Sequence, residues 1–350
     1  MSNNYEPQEL TYSLNVCEAD LIILAAGFED RAIHFISEAK FKESAFCILV
    51  GFNNGVPLNN DIWNRYLDIV SNKFQPARII HVKIKEKYPQ RYEKDIEKSL
   101  AILPREINNI WIDISGFPTY GICSTLVACR SFYSNLKQTI IYTEAKEYHP
   151  SHEEFLDLQE KHPDGIEFLP KSMALEMSEV LILESFSGHR SKEGVSCLAI
   201  FCGYEVHRSA GVIDSINPSK LLMLYGNPGN SELAWRLNLS QELHKKFEVN
   251  RMSAIEVVST LSPYESLNRL EEYYQYLFED YDFTIAPVCS KMQVVGTYLF
   301  WEKHKEVQLV FPLPIGYSID LQPKGVRRTF KFELEPKSSL YQNLNINLNA

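Results

Sequence analysis

The sequence predicts an α/β protein built from two tandem, doubly wound units with mainly parallel sheets. Three observations carry this reading. Apolar runs of about five residues alternate with stretches of helical apolar spacing, the pattern of parallel strands joined by crossover helices. Glycine-bearing turns close the carboxyl ends of those runs, where such sheets place their ligands. The turn signals also recur at one offset. Gly27-Phe28-Glu29 and Gly203-Tyr204-Glu205 stand 176 residues apart, while Gly51 and Gly226, Ser115 and Ser290, and Gly121 and Gly296 each stand 175 apart. Four features at one offset read as an internal duplication.

In chain order, Asp20 to Ala26 is a continuous apolar run, as expected for a strand buried on both faces. It breaks at Gly27-Phe28-Glu29-Asp30-Arg31, and Ala32, Ile33, Phe35 and Ile36 follow at helical spacing. Phe46 to Val50 is a second strand, Asp61 to Phe74 a helix, and Arg78 to Ile84 a third strand. The charged stretch from Tyr92 to Leu100 reads as a solvated helix. Ile110 to Ile114 is a fourth strand, followed by Ser115-Gly116-Phe117-Pro118, an apolar helix over Ile122 to Phe132, and a fifth strand at Thr139 to Thr143. This first unit covers residues 1–150.

Residues 151–195 are charged and punctuated by proline, with a possible helix over Ser172 to Glu179, and read as a connection. The second unit, 196–317, opens with the strand Cys197 to Cys202 and contains Phe283-Thr284-Ile285-Ala286-Pro287, a turn, and a helix beginning at Ser290-Lys291. Residues 318–350 form an extension. Within it Arg327 to Leu334 alternates polar and apolar residues and predicts one more strand with a single apolar face.

The chain has 350 residues, 45% of them hydrophobic, enough for two cores. A formal net charge of -10 argues against duplex nucleic acid as a partner, because that binding needs many basic phosphate contacts. Seven cysteines without a Cys-x-x-Cys pair sit mostly in apolar runs, as reduced core thiols do. No signal-peptide pattern and no membrane-length apolar run is present, so a cytoplasmic protein without a membrane partner is expected.

The candidate ligand-binding residues are those at the turns. Gly27 and Gly203 permit either a tight strand-to-helix turn or close approach of backbone to a ligand. Glu29 and Glu205 stand where a carboxylate gains from a helix dipole, and Arg31 and Arg208 place a cation at the same edge. An ion pair between each glutamate and its neighbouring arginine is the competing explanation. Ser115 and Ser290 follow the fourth strand of each unit. Lys291 adds a full charge to a helix N-terminus, whose first N–H groups have no internal partner. A simple serine cap with a surface lysine is the alternative.

No Gly-x-Ser-x-Gly, Gly-x-x-x-x-Gly-Lys, His-Glu-x-x-His or Gly-x-Gly-x-x-Gly signature occurs, and no cofactor or metal is expected. Cys289 beside a helix N-terminus reads as an inert thiol rather than a nucleophile.

The stretch from Phe283 to Gly296, with Ser290-Lys291-Met292 at its turn, resembles the Gly-Thr-Lys-x-Met loop of CARF domains, Rossmann-like sensors of cyclic oligonucleotides in prokaryotic defence. The doubled layout is similar to SAVED domains, two fused CARF-like units. The loop here reads Cys-Ser-Lys. The resemblance implies an anionic nucleotide held between two lobes and a separate effector or partner protein that receives the signal. The competing reading is a nucleotide-processing enzyme, an N-glycosidase or phosphodiesterase, with Glu29, Asp113 or Glu144 as acid, base or nucleophile. A third is a scaffold whose lobes bind no ligand.

Overall fold

The computed structural model describes residues 6–10, 16–53, 57–85, 88–104, 106–189, 195–248 and 252–336. It divides into two compact units. One comprises Met1–Glu147 with Pro323–Ala350, and the other Tyr148–Gln322.

In the first unit β1 (Gln8–Glu9), β2 (Leu21–Ala25), β3 (Phe46–Asn53), β4 (Ile79–Lys85), β5 (Ile110–Asp113) and β6 (Gln138–Glu144) alternate with α1 (His34–Glu38), α2 (Pro57–Lys73), α3 (Tyr92–Ala101) and α4 (Thr119–Phe132). The second unit carries α5 (His152–Lys161), β7 (Met177–Leu181), β8 (Val195–Cys202), α6 (Val206–Ile216), β9 (Lys220–Asn227), α7 (Trp235–Glu248), β10 (Met252–Ser259), α8 (Pro263–Leu277), β11 (Tyr281–Pro287), α9 (Lys291–Lys303), β12 (Gln308–Leu309) and β13 (Phe311–Pro314). The chain then returns to the first unit as β14 (Arg328–Leu334).

The first sheet runs β1-β14-β6-β5-β2-β3-β4 and the second β10-β9-β8-β11-β12. The five strands from β2 to β6 are parallel to one another, and so are all five of the second sheet. Numbered within each unit, both sheets have the order 3-2-1-4-5. The α/β class with mainly parallel sheets is therefore what the chain adopts. Leu21 to Ala25 is wholly buried, because helices cover both faces of a central parallel strand. On one face Ile22, Leu24, Cys47 and Leu49 pack with Ile33, Phe35, Tyr66 and Val70. In the second unit Leu198, Ile200, Met223 and Tyr225 pack with Val212 and Ile213.

β14 pairs antiparallel with β6 along its whole length, from Arg328 opposite Glu144 to Leu334 opposite Gln138. Its apolar alternates Phe330, Phe332 and Leu334 are buried, as the period-two pattern requires.

Two expectations about the middle of the chain change. The segment read as a connection belongs to the second unit. Phe155 and Leu158 of α5 are buried with Val206, Leu239 and Leu243, and each such burial contributes on the order of 1.5–3 kcal/mol. The helix considered over Ser172 to Glu179 is instead extended at its end, where β7 pairs antiparallel with β13. The helix lies earlier. Its start is a capping box in which the Ser151 hydroxyl accepts from Glu154 N–H and the Glu154 carboxylate accepts from Ser151 N–H. Of the segment read as a connection, residues 190–194 lie outside the described residues.

Candidate functional site

The predicted site residues of each unit lie at the carboxyl ends of that unit's parallel strands. In the first unit the turns after β2 and β5 touch. A Cβ on Gly27 would stand 2.7 Å from Gly116 Cα, and one on Gly116 2.2 Å from the Ala25 carbonyl oxygen. Those glycines are required by turn packing on turn, without a ligand. Glu29 and Arg31 form an ion pair with side chains only 12% and 5% exposed, so the arginine is buried and the glutamate half-buried. The guanidinium also donates to the Thr143 carbonyl and the Tyr142 hydroxyl, each at 3.0 Å, and lies over the Tyr142 ring. The pair therefore ties the turn after the first strand to the end of the fifth.

Ser115, expected at the ligand, is fully buried. It sits in a short 3-10 turn whose N–H donates to Asp113 Oδ1 at 3.0 Å, while its hydroxyl oxygen accepts from Thr143 N–H at 2.9 Å. The turn rotates the side chain inward onto β6, so Ser115 is a brace. Glu144 pairs with Arg328 on β14 at 3.1 Å. Behind these groups lies Tyr66, completely buried, its hydroxyl acidity suppressed first by loss of solvent and then by the charges of Asp113 and Glu29. The three carboxylates considered for catalysis are thus engaged in holding the edge of the sheet together.

The second unit repeats this logic with different residues. A Cβ on Gly203 would stand 2.9 Å from the Val288 carbonyl oxygen, so the turn after β8 again lies against the turn after β11. Glu205 accepts from Arg208 at 2.8 Å, from the Ser172 hydroxyl at 3.2 Å and from Ala174 N–H. Arg208 also donates to the Pro312 carbonyl at 3.1 Å, on the segment just after the fifth strand. In both units a Gly-aromatic-Glu turn recruits an arginine that clamps strand one to the neighbourhood of strand five. The ion-pair alternative is the one that the geometry bears out for all four charged residues.

Ser290 is the N-cap of α9. Its hydroxyl oxygen accepts from Gln293 N–H at 3.2 Å and its own proton goes to the Thr260 carbonyl at 2.6 Å, while Gln293 Oε1 accepts from Ser290 N–H at 3.2 Å. The cap and the Thr260 carbonyl thus engage the hydroxyl's proton and one of its two lone pairs. Ser115 and Ser290 both follow the fourth strand, yet one lies in a turn before its helix and the other caps it. Lys291 is half-buried and opens the helix beside the box.

One group at this edge escaped the sequence reading. Gln293 is 1% exposed, and the hydrogen bond accepted by Oε1 turns Nε2 the other way, where it finds no acceptor among the described residues. Gly226 at the end of β9 lies opposite, so that a Cβ there would stand 3.6 Å from Nε2 and 2.8 Å from Thr260 Cγ2. The Ser-x-x-Gln spacing was the available signal. Gly226, Thr260 and Gln293 thus meet at the ends of β9, β10 and β11. Among the described residues no group of three or more metal-ligating side chains occurs, and no helix is long and apolar enough to cross a membrane.

No family model and no curated protein matches the chain. The likeness to CARF and SAVED domains consequently stands on the Ser290-Lys291 turn and the repeated layout alone.

Proposed function

We propose that this chain is a nucleotide-binding sensor or regulatory module that holds an anionic nucleotide at the carboxyl edge of its second sheet and passes occupancy to a separate protein. The observation that carries the reading is the start of α9. Between strands one and four the order of the sheet reverses, and there a 13-residue helix presents its N-terminus with Lys291 as first residue. Such an end attracts anions through the helix dipole, and the lysine adds a full charge to it. Gln293 Nε2 is a further donor in reserve. The matching strand order and the two Glu–Arg clamps support descent of both units from one duplicated ancestor. A cyclic oligonucleotide signal in prokaryotic defence is the ligand that the CARF resemblance suggests.

The test is calorimetric titration with a panel of linear and cyclic nucleotides. Lys291→Ala is expected to weaken binding about tenfold or more, since a charge-assisted contact contributes roughly 1.5–3 kcal/mol. The melting temperature of the variant should stay close to that of the parent, as half-exposed lysines contribute little to folding. Equal affinities for parent and variant would overturn the site. Chromatography of the ligand after incubation distinguishes a sensor, which returns it intact, from an enzyme, which consumes it.

A further inference from the structure

A basic groove, remote in sequence from Lys291, lies between the edge strand and the third helix of the first unit. The chain as a whole is acidic, yet among the described residues a groove of about 260 Å³ is lined by five cations and one carboxylate. Its origin is a matter of periodicity. On β4 the alternation Lys83-Ile84-Lys85 buries Ile84 and turns both lysines to the same exposed side, with Cα atoms about 6.5–7 Å apart. On α3 and the turn before it, Arg91, Lys94, Asp95 and Lys98 fall at i, i+3, i+4 and i+7, one stripe of the helix. The acidic residues Glu93 and Glu97 fall on another stripe and do not line the groove. An exposed helix stabilised by ordinary ion pairs interleaves its signs, with acids and bases three or four apart on a shared face. Here three cations share the stripe with Asp95 alone, which pairs with Lys98 at 3.2 Å, while Glu97, three residues after Lys94, lies at its border.

Lysines on an edge strand also discourage sheet extension, which accounts for Lys83 and Lys85 by themselves. That explanation does not reach Arg91, Lys94 and Lys98, which belong to a helix and converge on the same hollow. Tyr88 is the remaining wall. Its ring is 42% exposed, with the Arg91 guanidinium 5.3 Å from the centroid, so it offers an aromatic surface at the end of the cationic row. The rise of a helix separates Arg91, Lys94 and Lys98 by about 4.5 and 6 Å along its axis. The volume equals that of roughly nine liquid waters at about 30 Å³ each, too roomy for a lone phosphate and below the usual range for larger ligands.

We propose that this groove binds the adjacent phosphates of a nucleoside polyphosphate, with the lysine rows and Arg91 on the phosphates and the base against Tyr88. The site is independent of the one at Lys291. The full chain would be titrated calorimetrically with ATP, with inorganic tripolyphosphate and with a ten-residue oligothymidylate. ATP is expected to bind more tightly than tripolyphosphate, and Tyr88→Ala to erase that difference. The double variant Lys85→Glu with Arg91→Glu should weaken ATP at least tenfold, and raising the salt concentration should weaken it for the parent as well. Both side chains are exposed, so the double variant should melt like the parent. Lys291→Ala should leave ATP binding at this groove unchanged, which separates the two sites. Failure of ATP to bind, equal affinity for the double variant, loss of ATP binding only in Lys291→Ala, equal affinity for ATP and tripolyphosphate, or a preference for the oligothymidylate would each overturn the assignment.

Discussion

Arg31→Ala is expected to lower the stability of the first unit by about 3–5 kcal/mol, the loss usual when one partner of a buried ion pair is removed. The arginine side chain is 5% exposed and Glu29 12%, so solvent replaces the guanidinium at the carboxylate only in part. The Thr143 carbonyl and the Tyr142 hydroxyl lose a donor at the same time. Arg31→Lys should recover only part of the loss, because an ammonium lacks the planar fork that serves Glu29 and Thr143 together. A two-unit chain does not unfold as one step, so the effect is best read by hydrogen exchange of the β2 and β6 amides. Protection changed by less than a factor of ten in Arg31→Ala would show the clamp to be incidental.

Acidification is expected to cost the second unit roughly 3 kcal/mol through a single side chain, His244. This imidazole is fully buried, with Nδ1 2.8 Å from the Ser240 carbonyl and Nε2 2.9 Å from the Ser209 hydroxyl. The carbonyl can only accept, so Nδ1 carries the proton and Nε2 accepts from Ser209. Burial pushes the pKa down to about 4 from an ordinary value of 6.5. The folded state therefore binds its proton later than the unfolded state as pH falls. The contribution is whole above pH 6.5, declines as pH drops, and is fully lost below about pH 4. Replacing the ring by His244→Gln should flatten the stability profile between pH 6.5 and 4.5, above the range where carboxylates such as Glu271 begin to protonate. A variant that kept the full slope would show that another group titrates there.

The fold was legible because parallel strands buried on both faces are written as unbroken apolar runs, as in Leu21 to Ala25 and Leu198 to Cys202. The β14 strand was legible for the complementary reason, that one buried face imposes strict alternation on Arg328 to Leu334. Residues 151–195 misled because their apolar positions are sparse. Phe155, Leu158 and Ile166 gain burial from α6 and α7, which a local window does not contain.

The candidate site was half legible. Spacing located Ser115, Ser290 and the four charged residues at strand ends, but a one-dimensional pattern cannot tell whether a hydroxyl points out to a ligand or in to Thr143 and Thr260. The Glu–Arg pairs were open to either reading until their burial was known. The basic groove was missed for a simpler reason. Lys83 and Lys85 precede Arg91, Lys94 and Lys98 across a bend, and the sequence viewed as a line gives only a charged helix.

The return of the chain to its first unit has a consequence for the order in which the protein can be made. The β6 strand ends at Glu144, and its antiparallel neighbour β14 is not complete until Leu334, about 190 residues later. At roughly 5–20 residues per second, a ribosome would leave that edge waiting on the order of 10–40 s. Meanwhile every strand of the second unit, from β7 to β13, has been synthesised. The inserted unit is thus free to finish first, although the unit that encloses it began earlier. During that interval Ile140 and Tyr142 carry an unpaired row of amides and carbonyls, a template on which a second nascent chain could dock. Translation pauses placed after Gln322 would lengthen this exposure, and those placed before Leu21 would not.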